Sequence, residues 1–321
     1  MPIEKAETIW MNGEFVRWED ANVHVLTHGL HYGSGVFEGI RAYETDRGPA
    51  IFRFREHLER LQRSAHLYYM DLPYTIETLR EATHELIRTN KLRSCYIRPI
   101  AYRGYGEMGL MPLKCEVDIA IAVWSWALYL GEQVIEDGVR CKVSSWRRMS
   151  PDGFVPQAKA CGQYLNSILA KVESAKAGYD EAILLDDHGN VCEGSGENVF
   201  LVRDGEISTP PPTASILDGI TRRSVIQIAA DLGFKVVERD IARGELYQAD
   251  ELFFTGTATE IAPIREVDDH RLGPTGEITR AIHARFKDAI HGRRQEYLEW
   301  LDFVDVGEPE VEERITGTAG R

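Results

Sequence analysis

The sequence predicts an α+β protein of two domains, and three observations lead to that prediction. The chain has 321 residues, which is more than most single domains contain. Asn12-Gly13 and Asp204-Gly205 are dipeptides typical of two-residue hairpin turns, and they lie in opposite halves of the chain. Apolar residues at helical spacing recur between the predicted strands, so each half combines strands with helices.

In the first half, a hairpin over residues 9–16 precedes a glycine-rich turn at residues 28–35, which enters a strand over 36–43. No G-x-G-x-x-G motif opens a helix here, which argues against a dinucleotide-binding fold. Helices are predicted over residues 55–69 and 75–89, and buried strands over 94–101 and 117–124. The aromatic stretch 124–131 then suggests a connector between domains, and clefts at such boundaries favour ligand sites.

In the second half, strands are predicted over residues 139–144, 181–185 and 251–255. Helices are predicted over 164–177, 222–232 and 279–290, with Thr221 as the N-cap of the second. The first of these carries Leu165, Ile168, Leu169 and Val172 along one apolar face. The predicted division is an N-terminal domain over 1–127, a loop over 128–137, a C-terminal domain over 138–305 and a loosely ordered tail over 306–321.

Composition excludes several classes of function. The formal net charge of −14 argues against nucleic acid or an anionic membrane as the main partner. No apolar run approaches the ~18 residues of a spanning helix, and the N-terminus does not resemble a signal peptide. The five cysteines include no C-x-x-C pair, which is typical of a reduced cytoplasmic protein, and no residue spacing indicates a metal site.

Lys159 is the first candidate for chemistry, because it lies among small residues where a ligand can approach its amine. A lysine of this kind can form an imine with an aldehyde cofactor, although most lysines are simply solvated. Glu193 lies in a glycine-rich stretch and is either an exposed glutamate or the partner of a protonated ring nitrogen. Arg98 lies in a buried strand, where it either forms a salt bridge or binds a ligand carboxylate.

Two segments suggest anion sites, and each is also compatible with a purely structural role. The helix that begins near Thr221 presents free N–H groups at its start, which are suited to a phosphate. The small residues 256–259 follow a predicted strand and offer further backbone N–H groups. Arg60 lies on the first long helix, where an arginine is usually a solvated surface charge.

Taken together, these features resemble the branched-chain amino acid aminotransferases of fold-type IV, a class of pyridoxal 5′-phosphate enzymes. The resemblance extends from about residue 9 to residue 304. It is carried by six motifs in order: His31-Tyr32-Gly33 with Val36-Phe37-Glu38-Gly39-Ile40-Arg41, Tyr96-Ile97-Arg98-Pro99, Ala158-Lys159-Ala160, Glu193-Gly194-Ser195-Gly196-Glu197-Asn198, Gly219-Ile220-Thr221-Arg222 and Gly256-Thr257-Ala258-Thr259-Glu260.

The resemblance implies a fold like that of D-amino acid aminotransferase, with mostly antiparallel sheets, flanking helices and an active site in the cleft between domains. It implies that Lys159 binds the cofactor and moves the proton, that Glu193 pairs with the pyridine nitrogen and that Tyr164 bonds the 3′-oxygen. The implied cofactor-binding residues are Arg60, Lys159, Tyr164, Glu193, Gly219, Ile220, Thr221, Gly256 and Thr257.

The resemblance also implies the reaction, which is amino-group transfer between leucine, isoleucine or valine and 2-oxoglutarate. Arg98, with Tyr32 and Tyr129, would bind the distal carboxylate of glutamate. The implied substrate-binding residues are Tyr32, Phe37, Gly39, Arg41, Tyr96, Arg98, Leu110, Trp126, Tyr129, Thr257 and Ala258. In this family the residues matching Tyr32 and Leu110 reach the site from a partner subunit, so the expected assembly is a homodimer or a higher homo-oligomer.

Two points leave alternatives open. Cys161-Gly162 and Gln163 stand where many bacterial relatives have two glycines and an asparagine, beside the lysine.

D-amino acid transaminases, (R)-amine transaminases and aminodeoxychorismate lyases share the lysine, the glutamate and the phosphate loops. The combination of Tyr96-x-Arg98 with Gly39-x-Arg41 favours the branched-chain type. A non-catalytic relative that binds a metabolite is the alternative from another class.

Overall fold

The computed structural model describes residues 3–126 and 134–306. Tyr129, most of the predicted interdomain loop and the predicted tail beyond residue 306 therefore lie outside the described residues. The strands are β1 (Thr8–Met11), β2 (Glu14–Arg17), β3 (Gly35–Phe37), β4 (Ile40–Thr45), β5 (Gly48–Phe52), β6 (Cys95–Arg103), β7 (Val117–Ser125), β8 (Val139–Arg147), β9 (Glu181–Leu185), β10 (Val191–Gly194), β11 (Asn198–Arg203), β12 (Glu206–Thr209), β13 (Val236–Glu238), β14 (Glu251–Gly256), β15 (Glu260–Val267), β16 (His270–Arg271) and β17 (Leu301–Phe303).

The helices lie between and around two sheets, which confirms the α+β class. They are α1 (His28–Tyr32), α2 (Phe54–Leu67), α3 (Ile76–Thr89), α4 (Val134–Asp137), α5 (Tyr164–Lys176), α6 (Ile220–Asp231) and α7 (Glu277–Ile290), with 3-10 turns at Trp18–Asp20, Cys161–Gln163, Arg243–Tyr247 and Gln295–Trp300. Among the described residues, no helix is both long enough and apolar enough to cross a membrane.

The first sheet is antiparallel throughout, in the order β17-β5-β4-β6-β7-β1-β2, with β3 also paired to β6. Helices α2 and α3 cover it, and their apolar faces pack on the strands through Leu58, Leu61, Leu79 and Leu86. The turn between β1 and β2 has positive φ at both Asn12 and Gly13, as the hairpin prediction requires.

The second sheet closes on itself. Its order is β10-β9-β8-β15-β14-β11-β12-β13, and β10 also pairs with β11, so six strands form a ring. The β8–β9, β8–β15 and β12–β13 pairs are parallel, and the other pairs are antiparallel. A compact apolar cluster that includes Val143, Ile183, Val199 and Phe254 lies within this part of the molecule. Closing the ring leaves these six strands without free edges.

The two halves share a core as well as a cleft. Tyr43, Ala50 and Phe52 of the first sheet belong to the same buried cluster as Phe200 and Phe253 of the second. The last strand, β17, pairs with β5 of the first sheet, whereas the predicted division assigns residues 138–305 to the second domain. The last described strand of the chain therefore belongs to the first sheet, although it follows the whole of the second sheet in sequence.

One prediction about the helices was wrong, and the apolar face of another helix is exposed. Helix α6 begins at Ile220 with Gly219 as its N-cap, so Thr221 is a first-turn residue and not the cap. The predicted apolar face of α5 points outward: Leu165, Ile168, Leu169 and Val172 are 67, 54, 45 and 46% exposed. The buried side of that helix consists of the small residues Ser167, Ala170 and Ser174, because α5 packs closely on β8 and β9.

Candidate active site

A cavity lies where α2 of the first half approaches the second sheet. All nine residues that the sequence suggested for cofactor binding line it. The described lining residues are Arg60, Arg148, Ala158, Lys159, Gln163, Tyr164, Ser167, Glu193, Ser195, Gly196, Glu197, Asn198, Leu217, Gly219, Ile220, Thr221, Thr255, Gly256 and Thr257. Residues distant in the chain thus converge on one cavity with several polar groups, and concave sites of this kind are where small molecules usually bind.

Lys159 is fixed to the first half through its backbone. Its N–H donates to Ser64 Oγ at 3.0 Å, and its carbonyl accepts from the Phe37 N–H at 3.0 Å. The side chain extends into the cavity, where Nζ lies 2.6 Å from the Tyr164 hydroxyl oxygen. The ring of Phe37 lies 5.3 Å from the same amine. Among the described residues, the amine therefore has one polar partner and lies beside an aromatic ring, and hydrogen bonds hold the main chain of Lys159 on both sides.

Glu193 lies near the end of β10, and both oxygens of its buried carboxylate have hydrogen-bond partners. Oε1 lies 2.8 Å from Arg148 Nε, and Oε2 accepts from Asn198 Nδ2 at 3.1 Å and from the Leu217 N–H at 3.0 Å. Burial raises the pKa of this carboxyl, and the neighbouring Arg148 guanidinium and Leu217 N–H offset part of that rise. These bonds fix the orientation in which the carboxylate faces the cavity. Arg148 was not singled out from the sequence.

Arg60 is buried and paired, in contrast to the solvated arginine usual on a helix. Its guanidinium binds Glu38 at 2.6 and 2.8 Å, and Nη1 also donates to the Asp218 carbonyl at 3.1 Å. His57 Nδ1 donates to the same carboxylate at 2.8 Å. Although burial alone raises the pKa of Glu38, Arg60 and His57 hold it well below its usual range. The ionised Glu38 therefore fixes Arg60 at the cavity edge.

Two glycines allow the anion-binding segments to approach the cavity closely. A Cβ at Gly219, the N-cap of α6, would lie 2.0 Å from Asn198 Oδ1. A Cβ at Gly256 would lie 2.8 Å from Thr259 Oγ1. The first-turn N–H groups of α6 lack partners within the helix and carry its positive dipole end, which makes Ile220 and Thr221 a suitable phosphate cradle.

Part of the predicted substrate set forms an aromatic cluster beside the lysine. The Phe37 and Tyr164 rings lie 4.8 Å apart, and the Arg98 guanidinium lies 4.8 Å from the Phe37 ring and 5.3 Å from the Tyr96 ring. Trp126 packs on Tyr96 at 4.6 Å. Gly39 is required here, because a Cβ would lie 2.0 Å from the Tyr96 hydroxyl. The cluster is mostly apolar, with one guanidinium.

Other predicted substrate residues are not brought to the cavity in this chain. Arg41 is buried and its Nη1 bonds Glu260 Oε1 at 2.7 Å. Tyr32 is half exposed and Leu110 is 90% exposed. Ala258 lies in the loop between β14 and β15, next to Thr257. Tyr129 lies outside the described residues.

Sequence reasoning missed buried charged residues that support the site. Glu38 and His57 fix Arg60, Arg148 fixes Glu193, and Glu197 lines the cavity. Burial, together with the nearby Glu181 carboxylate, raises the pKa of Glu197 to about 8. The available signal was a charge inside an apolar or glycine-rich run, as in Val36-Phe37-Glu38-Gly39, where a solvated side chain is not expected.

Gln163, which stands where many bacterial relatives have an asparagine, has structural partners of its own. Gln163 Nε2 donates to the Tyr68 hydroxyl at 2.8 Å and to the Val155 carbonyl at 2.7 Å. The Gly162 N–H donates to the Gly33 carbonyl at 3.2 Å, and a Cβ on Gly33 would lie 2.9 Å from Gly162 Cα. The Gly33–Gly162 approach thus joins the turn after α1 to the lysine segment.

Comparison with known proteins gives a consistent result. Residues 35–267 match the family of class IV aminotransferases. A branched-chain-amino-acid aminotransferase of Pseudomonas aeruginosa is 47% identical over 298 residues, covering 92% of this chain and 97% of that protein. That of Escherichia coli strain K12 is 46% identical over 308 residues, covering 95% and 100%. The crystal structure of the branched-chain aminotransferase from the archaeon Thermoproteus uzoniensis with norvaline is similar with a TM-score of 0.90 and 46% identity, covering 93% of this chain and 99% of that one.

Proposed function

Because the chain belongs to the class IV aminotransferases, we propose that it transfers the amino group of leucine, isoleucine or valine to 2-oxoglutarate. The products are the branched-chain 2-oxo acid and L-glutamate, and the cofactor is pyridoxal 5′-phosphate. One observation carries the proposal: the amine of Lys159 lies 2.6 Å from the Tyr164 hydroxyl, in a cavity that also holds a buried carboxylate and two backbone anion sites.

The cavity fits this cofactor. The Thr255 hydroxyl lines the cavity and has no hydrogen-bond partner among the described residues, and a Cβ at Gly196 would meet no atom within 4 Å. Arg60, Thr257 and the N–H groups of Ile220 and Thr221 would hold the phosphate. Glu193 would bind the ring nitrogen, and Tyr164 the 3′-oxygen. When bound, the cofactor supplies an aldehyde carbon and a ring that accepts electrons.

Lys159 is the residue assigned to proton transfer. Its free amine would accept a proton from the substrate Cα and deliver it two bonds away, to the carbon that the cofactor aldehyde supplies, acting first as general base and then as general acid. Tyr164 holds this amine in the cavity through the 2.6 Å hydrogen bond. Glu193 remains ionised when it faces a protonated ring nitrogen, because Arg148 and two N–H donors already stabilise its charge.

The aromatic cluster would receive the substrate side chain. Phe37, Tyr96 and Trp126 offer an apolar wall for leucine, and the Arg98 guanidinium can pair with the distal carboxylate of glutamate. The N–H groups of Thr257 and Ala258 would bind the α-carboxylate that all these substrates share. A pocket with one arginine at an apolar wall thus accepts both substrate types in turn.

We also propose that the working form is a homodimer in the cytoplasm. Tyr32 and Leu110, which are exposed here, would be covered by the second copy and would complete its pocket. The exposed apolar face of α5 is a further surface that a second copy can bury. The five cysteines are free and four of them are buried, which suits a reducing compartment.

The proposed reaction is tested by comparing rates with L-leucine, D-alanine and (R)-1-phenylethylamine, each with a 2-oxo acid acceptor. We expect L-leucine to be strongly preferred. A preference for either of the other two would indicate a D-amino acid or (R)-amine transaminase instead. A protein that stays colourless after addition of pyridoxal 5′-phosphate, with no absorption band removed by borohydride, would support a non-catalytic role.

Two substitutions test the assigned roles. Lys159→Ala should abolish transamination and the cofactor absorption band, while Lys176→Ala, at an exposed lysine, should change neither. Near-normal turnover in the first variant would contradict the assignment of Lys159. Arg98→Ala should raise KM for L-glutamate and 2-oxoglutarate far more than KM for L-leucine. Equal losses for all three substrates would refute the role of Arg98 in binding the distal carboxylate.

A further inference from the structure

Glu260 occupies an unusual position at the end of the loop assigned to the substrate α-carboxylate. Strands β14 and β15 form a hairpin in which Gly256 pairs with Glu260, so Thr257, Ala258 and Thr259 form the turn. Glu260 has φ of +56°, in the left-handed region that non-glycine residues rarely adopt. A non-glycine residue in this conformation is often held there by its surroundings at a functional site.

The surroundings that hold Glu260 are charged and buried. Its Oε1 accepts from Arg41 Nη1 at 2.7 Å, and its Oε2 accepts from Lys287 Nζ at 3.0 Å. The Arg41 and Glu260 side chains are 7 and 4% exposed. The Tyr43 ring lies 4.6 Å from the Arg41 guanidinium and closes the other side of the pair. Both carboxylate oxygens are therefore fixed, and one of them is fixed by the first half of the chain.

Arg41 links the β14–β15 hairpin to the strands that carry the substrate pocket. It lies on β4, directly opposite Tyr96 of β6, and Tyr96 is the aromatic residue beside Arg98. The ion pair thus joins a strand that carries the pocket to the hairpin that carries the Thr257 and Ala258 N–H groups. The Tyr43 hydroxyl, on the same strand, also hydrogen-bonds the Glu260 carboxylate, so β4 provides both of these links between the hairpin and the first sheet.

We propose that Arg41 and Glu260 are positioning residues that set the α-carboxylate site at its working distance from the side-chain pocket. This inference rests on the proposed function and differs from the direct substrate contact that the sequence suggested for Arg41. The pair acts through the hairpin backbone and touches no substrate atom. Loss of the pair therefore weakens the binding of the α-carboxylate of every substrate, whatever its side chain. Loss of Arg98, by contrast, affects only glutamate and 2-oxoglutarate.

The test compares the holoenzyme with Arg41→Met, Glu260→Gln and the double variant. The probes are L-leucine, L-glutamate, 4-methylpentanoate and 3-methylbutan-1-amine, the last two being leucine skeletons without the amine and without the carboxylate. Each single variant should raise KM for both amino acids, and Kd for 4-methylpentanoate, by about tenfold, or 1.4 kcal/mol. We expect Kd for 3-methylbutan-1-amine to stay within about threefold of the wild-type value, because this ligand does not use the hairpin.

Two further measurements separate positioning from general loss of structure. Arg80→Gln removes a bidentate pair with Asp302 on another face of the molecule and should leave every constant unchanged. The double variant should lose less than the product of the single losses, because the two residues act as one pair. Equal weakening of the carboxylate and the amine, or unchanged carboxylate binding, would overturn the inference. A wild-type enzyme without activity on L-leucine would instead refute the proposed function, and the inference with it.

Discussion

Glu38 is the residue whose replacement has the most definite consequence for stability. It is fully buried and accepts two hydrogen bonds from Arg60 and one from His57. Glu38→Gln preserves the shape of the side chain and removes its charge. The Arg60 guanidinium is then left in a buried site with a weaker acceptor and the Asp218 carbonyl. Removing one partner of a buried ion pair typically destabilises a protein by about 3–5 kcal/mol.

We expect the cofactor-free Glu38→Gln variant to lose about 3–5 kcal/mol of unfolding free energy at pH 7. Bound cofactor should reduce this loss, because its phosphate supplies Arg60 with a new negative partner. Urea unfolding, followed by tryptophan fluorescence with and without the cofactor, measures both quantities. Glu59→Gln is the matched control, since Glu59 pairs with Arg55 on the exposed side of the same helix and should contribute below about 1 kcal/mol.

The pH dependence gives this prediction a second test. The pKa of Glu38 is lowered in the folded protein, so its stabilising effect is present above its unfolded value near 4.5 and is lost as the pH falls. The difference in unfolding free energy between wild type and variant should therefore narrow below about pH 4.5. A variant within about 1 kcal/mol of wild type at pH 7, or a difference that widens in acid, would refute the reasoning.

Two other substitutions follow from the same structure. Gly39→Ala places a Cβ where the Tyr96 hydroxyl now lies, 2.0 Å away, so the ring must shift. KM for L-leucine should rise at least about tenfold, and an unchanged KM would show that the Tyr96 ring does not line the pocket. Glu197 has a pKa raised to about 8 by burial, so the stability it gives in its protonated form is lost as the pH rises from about 4.5 through 8. The Glu197→Gln variant cannot ionise at this position, so its Tm should not fall over this pH range and should exceed that of wild type at pH 9. If the Tm values of the two proteins change in parallel with pH, the raised pKa of Glu197 is wrong.

The sequence was a good guide wherever one residue type determines the local structure. Apolar spacing predicted α2 and α3 to within two residues at each end, because each of these helices buries a single face on the first sheet. Asn12-Gly13 predicted its hairpin because the turn needs positive φ at two successive positions. Lys159 and the two glycine-rich loops could be found because small residues beside a polar group indicate close approach by a ligand.

What the sequence did not reveal depends on partners that are distant in the chain. Nothing in the local sequence distinguishes Arg148 from an exposed arginine. Its position directly after β8 places it beside Glu193 only in the folded chain. Glu38 follows β3 and His57 lies on α2, and the packing of α2 on β3 brings them together. The exposure of the apolar face of α5 could not be predicted for a related reason, because apolar spacing indicates that a face packs on another surface but not whether that surface belongs to the same chain.

The pairing of β17 with β5 has a consequence for how the chain folds. All five residues of β5 are buried, and without Leu301–Phe303 this strand is an edge with unpaired backbone groups. The first half therefore remains incomplete during synthesis until the last described strand emerges and closes a very long loop. Contacts of such sequence separation slow folding. The half of the enzyme that is made first thus cannot complete its sheet until the chain is almost finished, and until then the free edge of β5 is open to pairing with another chain.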